Sequence, residues 1–120
     1  MTRNEKLAND IKNFLEKHDM IQDTRIYFNN KCFSSKLNRE SEDWFYEYEL
    51  IEDIVPSDYF EYANNKTVSM SFEGTLNHIL NYGKNRKLEE KFNKIFEQHS
   101  CYYEFGDAWN LTVYFDKEEE

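Results

Sequence analysis

A single proline and three glycines leave this chain of 120 residues with few turn-makers. Gly74, Gly83 and Gly106 stand apart from one another, so no glycine-rich loop is present to cradle a phosphate. The two cysteines, Cys32 and Cys101, are far apart and form no metal or redox motif. They read as reduced, mostly buried thiols in a cytosolic protein. His18, His78 and His99 never share a helix at a spacing of four, and a structural zinc site needs four clustered ligands. No metal and no cofactor are therefore expected. No apolar run approaches the roughly 18 residues a membrane span requires, and nothing resembles a signal peptide, so no membrane association is expected. No nucleophile elbow or cysteine signature of catalysis appears, which makes the chain a non-enzyme on this reading.

Arginine is scarce too, at four residues. Lys84, Arg86 and Lys87 form a basic elbow that Lys91 and Lys94 continue, but Glu89, Glu90 and Glu97 neutralise much of it. Direct binding of nucleic acid is not expected from so acidic a chain.

What the chain does have is acid and aromatic side chains, concentrated together. Of its 24 carboxylates, nine lie between Glu40 and Glu61, where there is no lysine or arginine. They are Glu40, Glu42, Asp43, Glu47, Glu49, Glu52, Asp53, Asp58 and Glu61. The remaining 15 acids are matched by 15 bases, so this one stretch supplies the whole net charge of −9. Trp44, Phe45, Tyr46, Tyr48, Tyr59, Phe60 and Tyr62 are interleaved with the acids. A localised anionic field speaks of partners rather than of fold.

The fold is read from periodicity. Thr2-Arg3-Asn4-Glu5 is a capping box, and Leu7, Ile11, Phe14, Leu15 and His18 follow at helical spacing, predicting a helix over Asn4–Asp19. Arg25–Phe33 is one long strand or a hairpin turning at Asn29-Asn30, since asparagine tolerates positive φ. Ser34–Ser41 reads as a polar loop. Asp43–Ile51 alternates as a half-buried strand, with Trp44, Tyr46, Tyr48 and Leu50 expected inward and Glu47 and Glu49 outward. Pro56 opens a short helix or turn. Thr67–Phe72 is a strand, Leu76–Leu80 a helix ended by Gly83, and Leu88–His99 a third helix. Cys101–Phe105 and Ala108–Phe115 form a hairpin, with Trp109, Leu111, Val113 and Phe115 as its buried face. Helices and antiparallel strands are segregated, so the class is α+β. A single domain over 1–115 is expected, with an antiparallel sheet of about four to six strands carrying about three helices. Residues 116–120 read as an acidic, frayed tail.

Acid beside aromatic suits the gripping of an arginine-rich surface through ion pairs and cation–π contacts. Carboxylates two apart on a strand, about 6.6 to 6.8 Å, can also imitate a row of phosphates. A solvated face that merely keeps the chain soluble would explain the acids as well. Asn, Lys, Ile, Tyr and Phe, whose codons are AT-rich, make up 50 of the 120 residues. In size, acidity, AT-rich composition and lack of a catalytic motif, the whole chain resembles the small acidic inhibitors of phages and mobile elements, the anti-CRISPR and anti-restriction proteins. That resemblance implies a non-enzymatic inhibitor in the cytoplasm of a bacterial host, monomeric or dimeric. It would bind a basic nucleic-acid-handling protein such as a CRISPR effector nuclease and block nucleic-acid binding, either as a DNA mimic or by plugging a nucleic-acid channel. The alternatives are a toxin-immunity protein masking a basic toxin surface and a small enzyme.

Overall fold

In the computed structural model, which describes residues 2–40, 42–59, 63 and 65–116, three helices pack on one six-stranded antiparallel sheet. The first helix, α1 (Arg3–Lys17), starts where the capping box places it, with the Thr2 hydroxyl accepting from the Glu5 N–H at 3.1 Å. It stops at His18, and the next residue, Asp19, turns left-handed at φ 54°. Its buried stripe is Leu7, Ala8, Ile11 and Leu15.

Strands β1 (Thr24–Phe28) and β2 (Lys31–Asn38) form a hairpin through Asn29 and Asn30, with φ of 47° and 59°. Two consecutive positive φ values match the right-handed twist of a two-residue turn. β2 runs through most of the segment whose polarity predicts a loop from Ser34 to Ser41, and that expectation is corrected. Ser35–Asn38 pair with β3 (Phe45–Glu52) alone, because the β1 register ends at Ser34. A ribbon with partial solvent on both faces has no reason to show apolar alternation.

Pro56–Asp58 makes one 3-10 turn with its proline at the first position. β4 (Ser69–Phe72) lies centrally, with Met70 and Phe72 fully buried. It leads through Gly74 into α2 (Thr75–Tyr82). A Cβ on Gly74 would sit 2.4 Å from the Gln22 carbonyl oxygen, so that crossing needs glycine. Gly83 ends α2 at φ 62°, as expected of a helix terminator. α3 (Arg86–Gln98) is capped by the Asn85 side chain, which accepts from the Leu88 N–H at 3.2 Å. β5 (Cys101–Phe105) and β6 (Asn110–Phe115) close the chain as a hairpin.

The strand order is β3-β2-β1-β4-β6-β5. One sheet face receives the helices, where Ile26, Met70, Phe72, Leu111 and Val113 meet Leu7, Ile11, Leu15, Leu76, Phe92 and Phe96. On the other face Tyr27 and Cys32 anchor a smaller cluster with Ile54, Ala63 and Trp109. The predicted face of Trp109, Leu111, Val113 and Phe115 is thereby split. Trp109 precedes β6 and packs against Tyr27 and Cys32 instead. A turn held by the Asn110 side chain, which accepts from the Asp107 N–H at 3.1 Å, breaks the parity before the strand begins. The Asp116 N–H donates to the Ser100 carbonyl at 2.9 Å, tying down the first residue of the expected tail. Residues 117–120 lie outside the described residues.

Candidate functional site

The acidic stretch folds into the far end of the β2–β3 ribbon, the β3 strand itself and the segment that follows it. Glu40, Glu42 and Asp43 are exposed in the loop joining the two strands. Glu47 and Glu49 share one face of β3, turned away from the helices, with Glu47 half-buried and Glu49 exposed. Glu52 falls on the opposite face by parity and stands across from Lys31. Asp53 follows in a left-handed turn at φ 59°. Asp58 is exposed in the 3-10 turn, whose neighbour Tyr59 reaches the Tyr27 ring at 5.8 Å between centroids. Glu61 lies outside the described residues. Five residues of strand separate Glu47 from Glu52, about 17 Å of chain, so the acids form a band along an edge rather than a cluster at a point.

Pairing in the sheet also brings bases to this band. Lys36 Nζ stands 3.7 Å from a Glu47 carboxylate oxygen and 3.9 Å from one of Glu49. Asn38 donates to Glu47 at 3.2 Å. The sequence shows no base within the acidic stretch, but the neighbouring strand inserts one between two of its carboxylates. These pairs are half-exposed, so their net worth is at most about 1 kcal/mol each. At the ribbon's end the Arg39 guanidinium lies 5.1 Å from the Trp44 ring centroid. Lys36 and Arg39 are the residues that sequence reasoning missed. The signal for them was present only in combination: a strand antiparallel to β3 had to be placed before their alignment with the acids was visible.

The aromatic face is corrected in the same way. Only Tyr48, among Trp44, Tyr46, Tyr48 and Leu50, packs against the main core, and it does so half-buried. Its hydroxyl bonds that of Thr24, which itself donates to the Ile21 carbonyl at 2.7 Å. Burial pushes the Tyr48 phenol well above its usual pKa. Trp44 is 63% exposed, Phe45 47% and Leu50 51%. α1 packs chiefly over β1, and no helix packs as extensively on β3, so most of the outer strand has little apolar layer to turn toward. An exposed group of large apolar side chains among carboxylates is what a binding surface presents.

Elsewhere on the helix-free face, a shallow cleft of about 320 Å³ is lined by residues that include Asp23, Arg25, Tyr27, Ser71, Glu73 and Trp109. Arg25 is held charged above its usual pKa by a hydrogen bond with Tyr27. The cysteines carry no reactive thiolate. Burial pushes Cys32 up to about 11 and Cys101 up to about 12, whereas nucleophilic thiols are depressed below their ordinary value. His99 Nε2 meets Asp10 at 2.6 Å, joining the end of α3 to α1. Among the described residues, no three histidine, cysteine or acidic groups gather as metal ligands, and no helix is long and apolar enough to cross a membrane.

No protein-family model, curated protein or solved structure matches this chain, so no functional residue is carried over from another protein and the assignment rests on this geometry.

Proposed function

We propose that the β2–β3 ribbon, with β3 as its working edge, binds a basic surface of a nucleic-acid-handling protein in a bacterial host and blocks access of nucleic acid to it. The observation that carries this reading is that Glu40, Glu42, Asp43, Glu47, Glu49 and Glu52 lie on or beside one terminal strand together with exposed Trp44, Phe45 and Leu50. Carboxylates steer the approach of a basic partner, while the aromatics supply contact area and cation–π stacking for its arginines. Lys36 between Glu47 and Glu49 interrupts any strict row of negative charge. The reading therefore favours obstruction by an acidic arm over a faithful copy of a phosphate backbone.

Purified CRISPR effector and restriction nucleases, assayed with and without this protein, provide the test. Inhibition should weaken as salt rises from low to physiological, chiefly through slower association. Glu47→Gln, Glu49→Gln, Glu52→Gln and Asp53→Asn combined should leave the unfolding midpoint near that of the parent and lower binding and inhibition together. Nucleic acid should compete with the protein for the nuclease. Full inhibition by the quadruple variant would reduce the acids to a solubility device. A basic toxin would meet the same face, and binding that nucleic acid does not oppose would point there instead.

A further inference from the structure

We infer that β3 recognises its partner by strand addition: an extended segment of the partner, alternating basic and apolar side chains, pairs with the free edge of β3 as a seventh strand. This rests on the acidic-edge reading above and specifies how that edge is read.

β3 terminates the sheet, and among the described residues no strand lies on its outer side. Its inner side is paired with β2 along all eight residues, from Lys31↔Glu52 to Asn38↔Phe45, with no break in register. The strand is therefore flat enough to pair and leaves alternate N–H and C=O groups pointing outward. Exposed edges are normally blunted by proline, charged side chains, a bulge or a very short strand. The charges that β3 carries, Glu47, Glu49 and Glu52, are all acidic, so they disfavour an acidic or neutral edge but not a basic one. β3 has no proline, lysine or arginine, no break in its pairing, and is the joint longest strand in the sheet. An edge left in this state suits main-chain pairing with another chain.

Charge selects the occupant. A second copy pairing antiparallel through β3 would set Glu47, Glu49 and Glu52 of one molecule along the same acids of the other, and like charges opposite one another destabilise a sheet. A basic segment meets attraction in the same place. Parity then fixes its pattern. One face of β3 carries Glu47 and Glu49 between Phe45 and Ile51, and the other carries Tyr46, Tyr48 and Leu50 before Glu52 at its end. The acids of the central part therefore lie on one face and its apolar groups on the other. A bound strand with bases on the first face and apolar residues on the second satisfies both. The Lys36 contacts, at 3.7 and 3.9 Å, are loose enough for an incoming base to replace.

The probe is a synthetic peptide of alternating lysine and valine, compared with a peptide of the same composition whose lysines and valines form two blocks. Titration at low salt should give at least about tenfold tighter binding to the alternating peptide, the difference that one or two additional net hydrogen bonds supply. Amide exchange should slow at alternate residues of β3 and remain unchanged in β5. Glu47→Lys with Glu49→Lys should reverse the preference toward an alternating glutamate–valine peptide. Equal binding of the two lysine peptides without β3 protection would overturn strand addition and leave the acidic interface standing. Failure of both peptides to bind would overturn strand addition, and the acidic interface would then stand or fall on the nuclease assay alone. Protection of β3 that grows with protein concentration and no peptide would make the occupant a second copy, against this inference.

Discussion

At one edge of the sheet β5 lies beneath α3, while at the other β3 is covered less extensively by helix. Tyr103 of β5 has the Phe96, Phe105 and Phe92 rings within 4.8, 5.6 and 5.8 Å, and its hydroxyl donates to Asn93 on α3. Burial raises that phenol to about 12. Among the large side chains of β3, only Tyr48 is tied to the main core as closely, and Phe45 and Leu50 are about half exposed. Both strands are antiparallel edges built from aromatic and acidic residues. The difference is the layer above them: α3 packs along β5, whereas no helix packs as extensively on β3. Each edge tucks one tyrosine against the core, Tyr103 or Tyr48, and leaves other large side chains about half exposed, Tyr102 and Phe105 on β5 as well as Phe45 and Leu50 on β3. The edges differ in that Tyr103 sits under α3.

This contrast can be broken most forcefully at the β5 edge. Phe96→Ala empties a fully packed site between α3 and Tyr103 and should cost about 3–5 kcal/mol, read as a fall in the urea unfolding midpoint. A loss under about 1 kcal/mol would mean that α3 does not hold that edge. Tyr48→Phe should have a smaller effect, about 1 kcal/mol, because it removes one hydroxyl while Thr24 keeps its bond to Ile21. Trp44→Ala should move the midpoint by no more than about 0.5 kcal/mol. In single-tryptophan variants, acrylamide should quench Trp44 more strongly than half-buried Trp109. If Trp44 is the better shielded, the ribbon has a cover and the two edges are alike.

Most of the architecture was legible wherever a segment has one buried face. The α1 cap, the Asn29-Asn30 turn, the Gly83 stop and the burial of Leu111 and Val113 follow from local chemistry that the fold does not override. The outer half of β2 was not legible, because its neighbours in space are β3 and solvent, and neither imposes an apolar period. Trp109 was misread for a different reason. Parity is a property of a strand, and the residue stands one position before its strand begins. For the candidate site, the acids and their aromatics were visible as a composition. Their arrangement along an edge was not, since Lys36 meets Glu47 and Glu49 only through pairing between separate strands. Charge counted along a chain overstates the field wherever the sheet aligns an acidic strand with a basic one.

The end of the β1 register at Ser34 has an evolutionary consequence. Beyond it, apart from Tyr48, the ribbon carrying Trp44, Phe45 and Glu47 contributes little to the main core, so replacements there cost the fold little. Natural selection can rewrite such an arm as a partner changes its own surface, with no compensating change among the helices. The Tyr103–Phe96 contact allows no such latitude, since each replacement there is first tested by whether the chain still folds. A lineage of this protein should therefore drift fastest in the ribbon and slowest under α3, holding the scaffold constant while the proposed interface changes.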